Sequence, residues 1–178
     1  MRYKLPVSNL VLLVTFLLIC QKVSAKVKEF PFLRDGISFS IAEGWKITAN
    51  DSIGENAYYF SAERTGSQAT GLISITWINK VEDPGKMLEM HQKSMKSANI
   101  YRNPGIEFTA VENDKYAGLE VKCCNYITFV KDQKLEGKIY SFNVAQKTIT
   151  IFIQTGLEDR KLNEKGFELL QMTFGCRE

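Results

Sequence analysis

Between Leu119 and Thr155 the chain runs through three apolar stretches, LEVKCCNYITFV, LEGKIYSFNV and TITIFIQT, separated only by Lys131–Lys134 and Ala145–Lys147. Within each stretch the apolar residues recur with a period close to two, the signature of a strand. Connectors this short cannot carry the chain back to a parallel neighbour, because a parallel crossover needs a dozen or more residues. The three strands must therefore form an antiparallel meander, and that meander dictates the fold class. In the last strand Ile149, Ile151 and Ile153 share one side, while Thr148, Thr150, Phe152 and Gln154 share the other. A phenylalanine among the threonines predicts that the second side is covered as well.

The rest of the chain supplies more strands and two helices. Ile37-Ser38-Phe39-Ser40-Ile41 alternates cleanly, with Phe30–Leu33 as a hairpin partner across Arg34-Asp35-Gly36. Tyr58–Ala62, Leu72–Ile78 and Ile106–Val111 also read as strands, the second placing Ile73, Ile75 and Trp77 on one side. Asp83-Pro84 is a helix start, the aspartate accepting from free N–H groups and the proline pre-set for the first turn. Met87, His91, Met95 and Ala98 then recur on one face until about Asn99. Glu158 or Asp159 opens a final helix with Leu162, Gly166, Leu169 and Leu170 as its inner stripe and Phe174 beyond it. Strands in runs, rather than alternating with helices, indicate an α+β fold: a central antiparallel sheet of about six to seven strands flanked by two helices. Without repeats or linkers, residues 26–178 form a single domain.

The N-terminus reads as an export signal over residues 1–25. Arg2 and Lys4 precede the apolar run Leu10–Cys20, and Val23-Ser24-Ala25 offers a cleavage site of small residues. A lipid anchor at Cys20 is the alternative, disfavoured because Ile19 stands where a small residue is needed. Arg2, Lys4 and Lys22 are the only charged residues in this segment, so the 23 basic and 20 acidic residues of the chain become 20 of each afterwards. A formally neutral mature domain gives no argument for nucleic acid or an anionic membrane surface. The expected location is the periplasm or the cell exterior, with no transmembrane span in the mature form.

Ala42-Glu43-Gly44-Trp45 after a short alternating strand, the helix from Asp83, the strands from Ile106 to Thr155 and the ending Leu169-Leu170-Gln171-Met172-Thr173-Phe174 together resemble the PsbP-like superfamily. That group includes the extrinsic photosystem II protein, a Ran-binding nuclear-import factor and DcrB-type bacterial envelope proteins. The proline usual in its first motif is Ala42 here. The resemblance implies a PsbP-like sandwich with a binding or assembly role. It carries over no catalytic residues.

The chemical inventory points the same way. The single histidine, His91, sits between Met87 and Met95 at helical spacing, and no Gly-x-Ser-x-Gly elbow accompanies it. HExxH, phosphate-loop, dinucleotide and EF-hand patterns are absent from the sequence. One histidine and three cysteines without paired spacing serve zinc poorly. The expectation is no catalytic residue, no cofactor and no metal. Trp45 and Trp77 read as packing residues, Asn50-Asp51-Ser52 fits a glycosylation sequon, and Tyr126 and Tyr140 are candidates for a partner-binding surface.

Three cysteines remain after the signal. Strand alternation puts Cys123 with Leu119, Val121, Ile127 and Phe129, and Cys124 with Glu120, Lys122, Tyr126 and Thr128. Cys123 thus reads as core. Cys124, on the more polar side, is expected to bridge to Cys176 just past the last helix, a loop closure worth about 4 kcal/mol at best. A vicinal bridge would strain the ladder, and a redox pair belongs at a helix start in Cys-x-x-Cys form. Cys176 pairing between chains is a further alternative. The functional expectation is an exported, non-enzymatic binding or accessory module of the bacterial cell envelope with a protein partner. The rival is an envelope hydrolase or thiol-redox enzyme.

Overall fold

The computed structural model describes residues 28–66, 69–101, 105–130 and 132–177. The expected signal over residues 1–25, with its alternative anchor at Cys20, lies outside them. Among the described residues the strands are β1 (Glu29–Arg34), β2 (Ile37–Ala42), β3 (Trp45–Ile53), β4 (Ala57–Arg64), β5 (Leu72–Ile78), β6 (Ile106–Phe108), β7 (Glu112–Tyr116), β8 (Leu119–Val130), β9 (Gln133–Val144), β10 (Lys147–Gly156) and β11 (Gly175–Cys176). The helices are α1 (Pro84–Ser97) and α2 (Arg160–Thr173). As the short connectors require, β8, β9 and β10 form an antiparallel meander, with Cys123 opposite Tyr140 and Tyr140 opposite Ile151.

The meander is the centre of an eight-stranded antiparallel sheet in the order β3-β4-β5-β10-β9-β8-β6, with β7 also pairing β8. The β1–β2 hairpin does not join it. It forms a separate three-stranded sheet in which β2 takes β11 on its other edge. The expectation of one sheet of six to seven strands is corrected accordingly. The inner row Ile37, Phe39 and Ile41 is nearly inaccessible to solvent, and Phe39 meets Phe60 of β4 edge to face at 4.9 Å. Trp77 Nε1 donates to Asp35 Oδ2 in the hairpin turn at 3.1 Å, pinning the small sheet to the large one.

Each face of the large sheet has its own cover. On one, the small sheet and α2 close a core containing Trp45, Phe60, Ile75, Trp77, Ile151 and Leu170. On the other, α1 lies over the meander and closes a smaller core of Leu88, Cys124, Tyr126, Ile139 and Phe152. The expected cap is present: Asp83 Oδ1 accepts from the Gly85 and Lys86 amides at 2.7 and 3.1 Å, with Pro84 in the first turn. Leu88 is the anchor of α1 and fully buried, while Met87, His91, Met95 and Ala98 flank it half-buried. In α2, Leu162 is exposed rather than inward, and Asn163 takes its place beside Gly166 and Leu170. Asp159 stands at the cap position without capping. Its Oδ2 accepts instead from the amide and hydroxyl of Thr70 at 2.8 and 2.9 Å.

Lengths explain why neither cover is complete. A strand of 12 residues such as β8 or β9 extends about 40 Å at 3.4 Å per residue. A helix of 14 residues reaches only about 21 Å. Burial along β8 accordingly changes face. Val121 and Cys123 are buried on the α2 side, whereas Asn125, Ile127 and Phe129 further along that side are exposed. Cys124, Tyr126 and Thr128 are buried on the α1 side, whereas Glu120 and Lys122 are exposed. The cysteine doublet marks the place where both covers overlap, so both side chains there must pack.

Candidate functional site

The residues singled out from sequence do not assemble into a site. Cys123 and Cys124 do point to opposite faces, and both are fully buried. Cys124 lies beneath α1, where Gln92 Nε2 donates to its sulfur at 3.3 Å. Cys176, half-buried, packs against the core on the other side of the sheet. The three thiols are free. The expected Cys124–Cys176 bridge is therefore corrected: the sheet separates the partners, and the helix cover supplies the packing reason that the polar neighbours of Cys124 concealed. Burial pushes all three thiols up in pKa, disfavouring the reactive thiolate.

The tyrosine surface is corrected too. Tyr126 and Tyr140 are both buried and lie on opposite faces, since Tyr126 stands opposite Gly137 and Tyr140 opposite Cys123. Tyr126 stacks on Phe152 at 5.3 Å, and its hydroxyl donates to Gln154 Oε1 at 3.1 Å. Tyr140 packs against Tyr116 at 4.8 Å. Burial lowers the pKa of His91, favouring the neutral ring of a packed side chain. Asn50 of the sequon is exposed on β3, its Oδ1 accepting from the Tyr58 hydroxyl.

The open stretch of the α2 side presents a concave surface. The floor is three adjacent strands in register, with β9 in the middle. Lys134, Glu136 and Lys138 line up along β9 as a ladder of alternating charge. Ile127 and Phe129 of β8 flank it on one side, 41% and 36% exposed, and Ile153 and Thr155 of β10 on the other. Arg160, Glu164 and Phe167 on α2 form the wall. The groove encloses about 410 Å³.

Two ion pairs frame the groove. Arg160 reaches from α2 to Glu136 on the floor, tying wall to sheet. At the inner end Lys138 Nζ bonds Asp114 Oδ2 at 2.6 Å and stands 5.2 Å from the Tyr140 ring centre. The bridge runs diagonally across β8 beside Cys123, whose thiol is 3.9 Å from the same carboxylate oxygen. The Lys138 hydrogen bond holds the Asp114 carboxyl below its usual range. Burial pulls Lys138 down, but the Asp114 hydrogen bond and its acidic neighbours together raise it. Both partners stay charged through the neutral range, closing the core against the groove. Among the described residues Glu164 in the groove wall and Lys134, further out along the β9 ladder, have no ion-pair partner. An arrangement with apolar columns, free charges and no cysteine, histidine or serine in its lining is suited to holding a segment of another molecule. Sequence reasoning missed it because it arises from register and length mismatch. The one visible signal was the pair of apolar residues, Ile127 and Phe129, at the end of an overlong strand.

No family model matches the chain, and no curated protein matches it in sequence. Solved structures do match in fold. The cyanobacterial PsbP of Synechocystis sp. PCC 6803 aligns with a TM-score of 0.59 at 13% identity, covering 89% of this chain and 97% of that one. A protein from Bacteroides thetaiotaomicron aligns at 0.53 and 12% identity over 85% of this chain and 49% of its own. The Saccharomyces cerevisiae Ran-binding protein Mog1p aligns at 0.51 and 8% identity over 84% and 96%. The fold is PsbP-like, as the order of motifs implied. At these identities the likeness is one of fold.

Proposed function

We propose that this PsbP-like domain is an exported, non-enzymatic accessory module of the bacterial cell envelope, and that the groove between α2 and the β8–β10 floor is where it holds a protein partner. The observation that carries the reading is the uncovered end of the meander: Ile127 and Phe129 stand exposed beside a ladder of charge. An apolar centre with charged surroundings is the make-up of a protein interface. Support for a module rather than an enzyme comes from the chemistry of the lining, where the carboxylate of Glu136 is engaged by Arg160 and no nucleophile stands beside a base. The apolar run and small-residue site at the N-terminus support export. Among the described residues no helix is long and apolar enough to cross a membrane.

The test compares the native chain with Ile127→Asp/Phe129→Asp in co-purification from envelope extract, beside a screen for hydrolase and thiol-redox turnover. The proposal expects a stoichiometric partner that is lost from the double variant, and no turnover. Turnover abolished by changing a single carboxylate or cysteine would replace it with the enzymatic alternative.

A further inference from the structure

The groove between α2 and the meander has a second rim, formed by β6. That strand pairs with the open stretch of β8, and residues directly opposite in neighbouring strands share a face. Glu107 stands opposite Ile127, Ile127 opposite Glu136, and Glu136 opposite Thr155. One row on the α2 side therefore runs from a carboxylate at the β6 edge, over an exposed isoleucine, to the glutamate that Arg160 of the helix wall engages. Glu164 lines the same wall one helical turn on from Arg160. The apolar floor thus lies between two carboxylates, Glu107 on one rim and Glu164 on the other.

Neither carboxylate is neutralised. Among the described residues the side chains of Glu107 and Glu164 have no ion-pair or hydrogen-bond partner, and both residues are exposed. A single unpaired glutamate on a surface is ordinary. Here two cations stand in the lining, and both are committed elsewhere: Arg160 to Glu136, and Lys138 across β8 to Asp114. Lys134 stands one row further out, opposite Phe129, and Lys161 and Lys165 of α2 lie outside the lining. Floor, wall and rim together set four carboxylates, Glu107, Asp114, Glu136 and Glu164, against the two cations Lys138 and Arg160. The groove is left acidic at both rims and apolar between them.

Resting on the reading of the groove as a partner site, we propose that its occupant is a basic segment of another protein, in which an apolar side chain is flanked on both sides by lysine or arginine. The apolar side chain packs on Ile127 and Ile153 of the floor, and the two cations reach Glu107 and Glu164. Lysine and arginine suit the place because their aliphatic stems lie along apolar surface, here Ile127, Ile153 and Phe167, while the charged heads extend to the rims. Rims of this sign repel an acidic segment, a nucleic-acid backbone or an anionic lipid surface, since like charges brought together cost affinity. A neutral segment gains the floor but desolvates the two carboxylates without pairing them.

The experiment selects a phage-displayed library of random heptapeptides on the purified chain, after depletion on Ile127→Asp/Phe129→Asp. The peptides retained should carry basic residues on both sides of an apolar one. A fluorescent peptide of the selected consensus is then titrated by anisotropy against the native chain, against Glu107→Gln/Glu164→Gln, and against Glu89→Gln, an exposed control on α1. Its Kd should rise about tenfold in the double glutamine variant, as the loss of two surface ion pairs requires, and stay unchanged in the control. Added salt should weaken binding to the native chain and affect the double glutamine variant little. All the residues changed are exposed, so the variants keep the fold. Enrichment of neutral or acidic peptides, or a Kd unchanged by the two glutamines, would overturn the basic segment and leave the groove as a partner site. Failure of any peptide to tell the native chain from Ile127→Asp/Phe129→Asp would overturn both.

Discussion

Gly166→Ala tests the docking of α2, which builds the groove wall. Helix propensity alone favours the change by about 1 kcal/mol, because glycine is the poorer helix former. Packing opposes it. A Cβ at position 166 would stand 2.6 Å from Trp45 Nε1 and 2.7–2.8 Å from two further indole carbons, where unstrained contacts need about 3.5–4.0 Å. Trp45 has little room to retreat. It is 8% exposed, it meets Phe167 at 5.7 Å, and on its far edge it closes on Gly71, where a Cβ would approach within 2.8 Å. Overpacking of this kind costs roughly 1–3 kcal/mol, so the net expectation is a loss of about 1 kcal/mol, or a Tm lower by about 2–4 °C at this chain length. Urea unfolding followed by circular dichroism measures it. In a Trp45→Leu background the clash is gone, and the same change should become stabilising, giving a coupling of about 2 kcal/mol in the double-mutant cycle. If Gly166→Ala stabilises the chain with Trp45 intact, the account of how α2 seats on the sheet is wrong.

Three further outcomes follow from the structure. Because the thiols are free, reductant should leave Tm unchanged and unreduced peptide mapping should find Cys124 and Cys176 unlinked; a reductant-dependent loss near 4 kcal/mol would restore the bridge. Burial lowers the pKa of His91 from the ordinary imidazole value of 6.5, so its contribution is present above about pH 6.5 and is lost as pH falls toward the lower folded value. His91→Gln should flatten stability across that window, and a histidine ring titrating at or above 6.5 by NMR would contradict it. The β9–β10 turn holds both Ala145 and Gln146 at positive φ, 46° and 59°, a conformation that suits Asn-Gly. Ala145→Asn/Gln146→Gly should therefore stabilise the chain by about 1–2 kcal/mol, whereas a lower Tm would refute the turn geometry.

What could be read from sequence was local. The meander, the α1 cap at Asp83 and the hairpin turn at Asp35-Gly36 depend on neighbouring residues and came through intact. Strands β3 and β7 were invisible because WKITANDSI and ENDKY lie along sheet edges and are mostly exposed, so no apolar alternation marks them. The Cys124–Cys176 bridge failed for a long-range reason. The polar neighbours Glu120 and Lys122 describe one end of β8, while Cys124 sits where α1 has already covered the other. Tyr126 and Tyr140 misled likewise, since a strand with both faces covered hides its tyrosines on either side. The groove needed the register of three strands and the shortness of α2, neither of which the sequence states.

The central claim is that the uncovered end of the meander is the working surface. A photo-crosslinking amino acid at position 127 in the groove, set against one at position 53, where Ile53 is 52% exposed on β3, addresses it in intact cells. A discrete partner adduct at 127, absent at 53 and suppressed by Phe129→Asp, is the expected result. Equal labelling at both positions, or a specific adduct at 53 alone, would contradict it.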